Sequence, residues 1–86
     1  MAEFRLQVVT PERVVFDETV TSIIAPGALG YLGVLAHHAP LLTTLAKGKL
    51  TIRSGDQITE YDVSGGFLEV AHNVATLLPD SIQAIA

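Results

Sequence analysis

The sequence predicts an all-β fold, a flattened two-sheet β-sandwich of about nine to ten short strands. Three observations carry that prediction. The hydrophobic pattern has a period of two from residue 4 to residue 78, the alternation of strands with one buried face. Turn residues recur between the alternating runs at the close spacing of a sandwich or barrel: Thr10-Pro11-Glu12, Pro26-Gly27, Ser54-Gly55-Asp56, Ser64-Gly65-Gly66 and His72-Asn73. Helical composition is confined to residues 80–86, DSIQAIA, a run too short to stand alone.

In chain order, Phe4, Leu6 and Val8 alternate with Arg5 and Gln7, which makes residues 4–10 a half-buried strand. Proline in Thr10-Pro11-Glu12 presets a β-turn. The run RVVFDETV then carries Val14, Phe16 and Val20 on one parity, with Asp17 and Thr19 on the other. TSIIAPG is a further β-branched run, closed by Pro26-Gly27, and residues 31–36 and 41–46 are two short extended segments. KLTIRSGDQITEYDV reads as a hairpin, with Leu50 and Ile52 facing one way, a Ser54-Gly55-Asp56 turn, and Ile58, Tyr61 and Val63 on the return strand. Ser64-Gly65-Gly66 separates it from FLEVAHNVATLLPD, where His72-Asn73 is a tight turn because asparagine tolerates positive φ.

Composition narrows the function. Eighty-six residues form one domain, 1–86, near the lower end of what a single core stabilises. Part of the apolar surface is therefore expected to remain exposed in the isolated chain, a condition that suits a partner. The chain has no cysteine, which excludes disulfides and thiolate metal sites. A net charge of −4 argues against a nucleic-acid partner. No apolar run approaches the roughly 20 residues of a membrane span, and the N-terminus carries no secretory pattern. The expectation is a soluble cytoplasmic protein.

The most unusual stretch is GALGYLGVLAHHAPLLTTLAKG, residues 27–48, with glycines at 27, 30 and 33. As a phosphate loop it has the wrong spacing, and a strand rather than a helix follows it. As a metal site it has adjacent His37 and His38, whose side chains point to opposite faces if they lie on a strand. No base stands ready for Ser64, whose two glycine neighbours suit a turn or bulge. No catalytic, cofactor-binding or metal-binding residues are therefore assigned. What remains is backbone shape, with Leu29, Tyr31, Leu32 and Leu35 as poorly buried apolar side chains at an edge suited either to a protein partner or to packing on the domain's own core.

Two blocks carry a family resemblance. His38-Ala39-Pro40-Leu41-Leu42-Thr43, then Lys47-Gly48, then Ser64-Gly65-Gly66-Phe67-Leu68-Glu69-Val70 occur in the order found in the epsilon subunit of the F-type ATP synthase (delta in the mitochondrial enzyme). The opening LQVVTPERVVFD is similar too, so the chain resembles that family over essentially its whole length. The resemblance implies a flattened sandwich at the foot of the rotating central stalk, between the gamma subunit and the c-ring, where it transmits torque without bond chemistry of its own. It also implies a peripheral location on the cytoplasmic side of the bacterial inner membrane. Carried over residue by residue, Leu29, Gly30 and Tyr31 face the c-ring, and His38, Leu41 and Thr43 face gamma.

The chain departs from the family pattern in three places. Ala28, Leu29 and Tyr31 stand where the family commonly has an acidic residue, and Ala36-His37 where it has Pro-Gly. Most members continue into a two-helix domain that can inhibit ATP hydrolysis and in some binds ATP; this sequence stops at Ala86. No inhibitory helix and no tight nucleotide binding are expected of these residues. The competing expectation is a biotinyl or lipoyl carrier domain with Lys47 as the attachment site, although the typical flanking residues and the quasi-twofold repeat are missing.

Overall fold

The computed structural model describes residues 2–85. Eight strands form among them: β1 (Phe4–Val9), β2 (Val14–Val20), β3 (Ser22–Gly27), β4 (Gly30–Leu35), β5 (Leu41–Thr44), β6 (Gly48–Ser54), β7 (Gln57–Ala71) and β8 (Val74–Ala84). Hydrogen bonding runs continuously in the order β2-β1-β8-β7-β6-β3-β4, with β5 also paired to β7.

The long β7–β8 hairpin turns this ladder into two layers. The first half of β7 pairs with β6 and the second half with β5, while β8 follows β7 from Tyr61↔Ala84 to Ala71↔Val74. Between the halves the inward parity flips. Val63 is buried before the break and Leu68 and Val70 after it; on β8, Ala75 and Leu77 are buried, and beyond Asp80 the even-numbered Ile82 packs on the core. Each strand thus bends over the core and serves both layers. One layer is β2-β1-β8-β7-β5 and the other is β4-β3-β6-β7-β8. Counting each half of the two long strands gives ten segments, within the range that the sequence predicts.

The bend is made by Gly65 and Gly66, with φ of 68° and 106°, values open to glycine and strained for other residues. Their pairing partners are the backbone around Pro79 and Asp80, where proline's missing N–H suits a gap in the ladder. A Cβ on Gly66 would meet the Leu78 carbonyl oxygen and lie 2.7 Å from Pro79 Cα. Ser64-Gly65-Gly66 is therefore a crease inside one continuous strand, not a separator between two.

The other turns follow their residue chemistry. His72 and Asn73, with φ of 52° and 61°, close the β7–β8 hairpin as a type I′ turn, and Gly55 (φ 62°) with Asp56 closes β6–β7. Two stretches that the sequence left open take definite form. Residues 80–84 are strand rather than helix, because pairing with Tyr61–Ser64 overrides their weak helical composition; Ala86 lies outside the described residues. His37 and His38 lie in the turn after β4 rather than on a strand, and His37 itself has φ of 63°.

The core between the layers holds Phe4, Leu6, Val8, Ile23, Val34, Leu50, Ile52, Leu68 and Leu77, all essentially inaccessible. Each such side chain contributes roughly 1.5–3 kcal/mol of burial. No buried side-chain polar atom among the described residues lacks a hydrogen-bond partner.

Candidate functional site

The β3–β4 hairpin turns at Ala28-Leu29 between the paired glycines Gly27 and Gly30. Leu29 is fully exposed at its tip. Gly30 takes φ of 128°, and a Cβ there would meet nothing within 4 Å. The root of the tip is tied to β5 and the residues just after it: Ala28 N–H donates to Thr44 O (3.0 Å) and Ala46 N–H to Pro26 O (2.8 Å).

Tyr31 braces the same end. It is opposite Pro26 on β3, and its hydroxyl oxygen accepts the Lys49 N–H of β6 at 3.0 Å. The ring spans Pro26, whose side chain is buried, and lies over Gly48, where a Cβ would be 2.5 Å from the tyrosine hydroxyl. This explains the glycine of Lys47-Gly48. Tyr31 as a whole remains 61% exposed.

His38 lies at the far end of β4, about 20 Å from the tip for six residues of strand. Its N–H donates to Leu35 O (3.2 Å), and its Nδ1 is 2.6 Å from Ala39 O, a bond in which the ring nitrogen is the donor. His37 N–H donates to the Asn73 side-chain oxygen Oδ1 at 2.7 Å. The structure therefore does not bring His38 together with Leu29, Gly30 and Tyr31. β5 is what connects the two ends.

On β5 the side chains alternate. Leu41 is half-buried and packs against the core, and Thr43 shares its inward parity, partly exposed at the edge. Leu42 is 71% exposed on the outer side, together with Thr44. The prominent apolar residue of this block is thus Leu42, which the sequence reading passed over. The outward position opposite Thr44 is Phe67, and opposite Phe67 is Leu78. Both are about half exposed, and with Val9 and Pro11 they line a shallow concavity of about 480 Å³.

On the opposite outer face, Ile24, Leu35 and Ile58 are exposed. Charged residues border both apolar areas: Asp80 lines the concavity, and the exposed Arg53 is paired opposite Ile58. Arg5 and Asp17 form an exposed pair at 2.7 Å; the hydrogen bond to Arg5 holds the Asp17 carboxyl below the usual carboxylate range. Lys49 and Glu60 approach to 3.6 Å. Among the described residues no group of three metal-ligating side chains converges. Lys47 lies in the bend that carries the chain from β5 to β6, two strands that pair with β7 and not with each other. It is not at the tip of a hairpin, so the geometry gives the carrier-domain reading no support.

Residues 3–85 match the family described as ATP synthase, Delta/Epsilon chain, beta-sandwich domain. The ATP synthase epsilon chain of Desulforamulus reducens is 46% identical over 79 residues, 92% of this chain and 60% of the relative. That of Moorella thermoacetica is 46% identical over 84 residues, 96% of this chain and 63% of the relative. The epsilon chain of Caulobacter vibrioides is 42% identical over 80 residues, 93% of each. The chain thus spans about three fifths of the first two relatives and nearly all of the third. Among solved structures, a chain of the Euglena gracilis mitochondrial ATP synthase, OSCP/F1/c-ring in rotational state 1, matches with a TM-score of 0.90 at 26% identity, over 98% of this chain and 54% of that one. A chain of the Tetrahymena thermophila mitochondrial ATP synthase central stalk/c-ring shares the fold, with a TM-score of 0.78 at 17% identity over 92% of this chain and 64% of that one.

Proposed function

This chain belongs to the ATP synthase delta/epsilon β-sandwich family, and on that premise we propose that it is a non-catalytic rotor component joining the gamma subunit to the c-ring. The carrying observation is the family match across residues 3–85. The geometry agrees with a mechanical role. A coupling between two turning bodies needs two separated contact areas on a block that does not shear. The tip at Leu29, Gly30 and Tyr31 and the segment from His38 to the start of β5 are two such areas, about 20 Å apart by strand length. The β7–β8 hairpin threads both layers, so load applied at one area reaches the other through continuous hydrogen-bonded strands.

The tip meets the c-ring through Leu29 and the exposed face of Tyr31, an apolar and aromatic contact that depends little on salt, because screening acts on exposed charges. Gamma meets His38 and the outer side of β5, led by Leu42, with Leu41 and Thr43 supporting the strand from within. The complex works at the membrane without this chain entering it. No helix among the described residues is long and apolar enough to cross a membrane.

The test is omission and add-back in the assembled synthase. Without this chain, ATP hydrolysis by the catalytic head is expected to persist while ion pumping is lost, and adding the chain restores coupling. Pumping that is fully coupled without it would overturn the proposal.

A further inference from the structure

Asn73 was legible in the sequence only as a turn residue, yet its side chain joins three segments that are distant in the chain. Oδ1 accepts the His37 N–H at 2.7 Å, and Nδ2 donates to Glu3 O at 2.9 Å. Its own backbone oxygen accepts the Arg5 N–H at 3.2 Å. Every polar group of the residue except its backbone N–H is thus spent on the N-terminal segment and on the connection between β4 and β5. One amide orientation alone satisfies both side-chain bonds, since Glu3 offers an acceptor and His37 a donor.

The connection has few other restraints. Residues 36–40 make no regular strand pairing, and His37 sits at φ 63°, a conformation uncommon for a side-chain-bearing residue. Within the connection, the bonds of His38 reach only Leu35 and Ala39, so they shape it locally without fixing it to the sandwich. Among the described residues, the long-range hydrogen bond of the connection is the one from His37 to Asn73. We propose that Asn73 is a positioning residue for the gamma-facing surface: its amide fixes the His37–Pro40 connection, and through it the placement of His38 and the start of β5, without needing to touch the partner. This rests on the stalk reading above.

Turn chemistry and the clamp predict opposite rankings, which makes the idea testable. Glycine accepts positive φ best, so Asn73→Gly keeps the turn and deletes the clamp. Aspartate keeps the acceptor for His37 but sets a carboxylate against the Glu3 carbonyl, so Asn73→Asp is the less stable protein with the better-held connection. The experiment measures melting temperature, amide exchange at His37, and affinity for the gamma subunit of the same organism, using the full chain.

Asn73→Gly is expected to melt at or near the wild-type temperature, to exchange the His37 amide about tenfold faster, and to bind gamma about tenfold more weakly, because a loosened segment must be ordered on binding. Asn73→Asp is expected to melt lower yet bind gamma more tightly than Asn73→Gly. If affinity instead follows melting temperature across the two variants, Asn73 has only a structural role and the proposal is overturned. Unchanged His37 exchange in Asn73→Gly overturns it as well. If the wild-type chain does not bind gamma while His37 exchange responds as described, the stalk reading has failed, and the positioning claim falls with it although the clamp itself exists.

Discussion

Gly30 and Gly66 both hold positive φ, at 128° and 106°, but their surroundings are opposite. Around Gly30 a side chain would find open solvent; at Gly66 it would collide with the Leu78 carbonyl and the Pro79 backbone. The first glycine only sets a backbone angle, at a hairpin tip that presents Leu29 outward. The second sets an angle and also lets two strands touch where the sandwich folds over. The same residue type therefore marks a surface open to a partner in one place and a joint that cannot be opened in the other.

Substituting each region should separate the two. Gly66→Ala combines backbone strain with overpacking, each of order 1–3 kcal/mol, so a loss of about 3 kcal/mol or more is expected in urea unfolding. A loss below 1 kcal/mol would mean that the crease relaxes easily and that the contrast is false. Gly30→Ala carries backbone strain alone and is expected to cost about 1 kcal/mol by the same measurement. A cost equal to that of Gly66→Ala would place the tip under hidden packing. Leu29→Ser should shift stability by no more than about 0.5 kcal/mol, as surface changes do, while weakening retention on the isolated c-ring at both low and high salt. Loss of stability without loss of retention would reverse the roles assigned to the tip.

These regions also show what the sequence could convey. The alternation through Phe4, Leu6 and Val8, and through Leu50 and Ile52, is regular, and those residues are buried as read. Leu41-Leu42-Thr43-Thr44 has no alternation: each parity carries one leucine and one threonine. Nothing local says which faces in, and the pairing with β7 decides it. Ser64-Gly65-Gly66 has the composition of a turn, and only the register of β7 with β8, resumed at Gly66 after a gap at Gly65, reveals a crease. DSIQA has marginal helical preference, which a neighbouring strand outweighs. The tight turn at His72-Asn73 was legible because positive φ is a local property. The bonds from Asn73 to Glu3 and His37 were not, because they span 70 and 36 residues of chain.

The pairing of β1 with β8 is the one parallel contact among the described residues, matching Arg5–Val8 to Val74–Leu77. It ties the first of these strands to the eighth. During synthesis, β1 and β2 can form their hairpin early, but the other edge of β1 has no neighbour until residue 77 has been made. The nascent protein therefore carries an open strand edge, the template for wrong pairing, until β8 arrives. Such distant closure is slow compared with local hairpin formation. A truncation within β8 should therefore act on the yield of soluble chain before it acts on any partner contact.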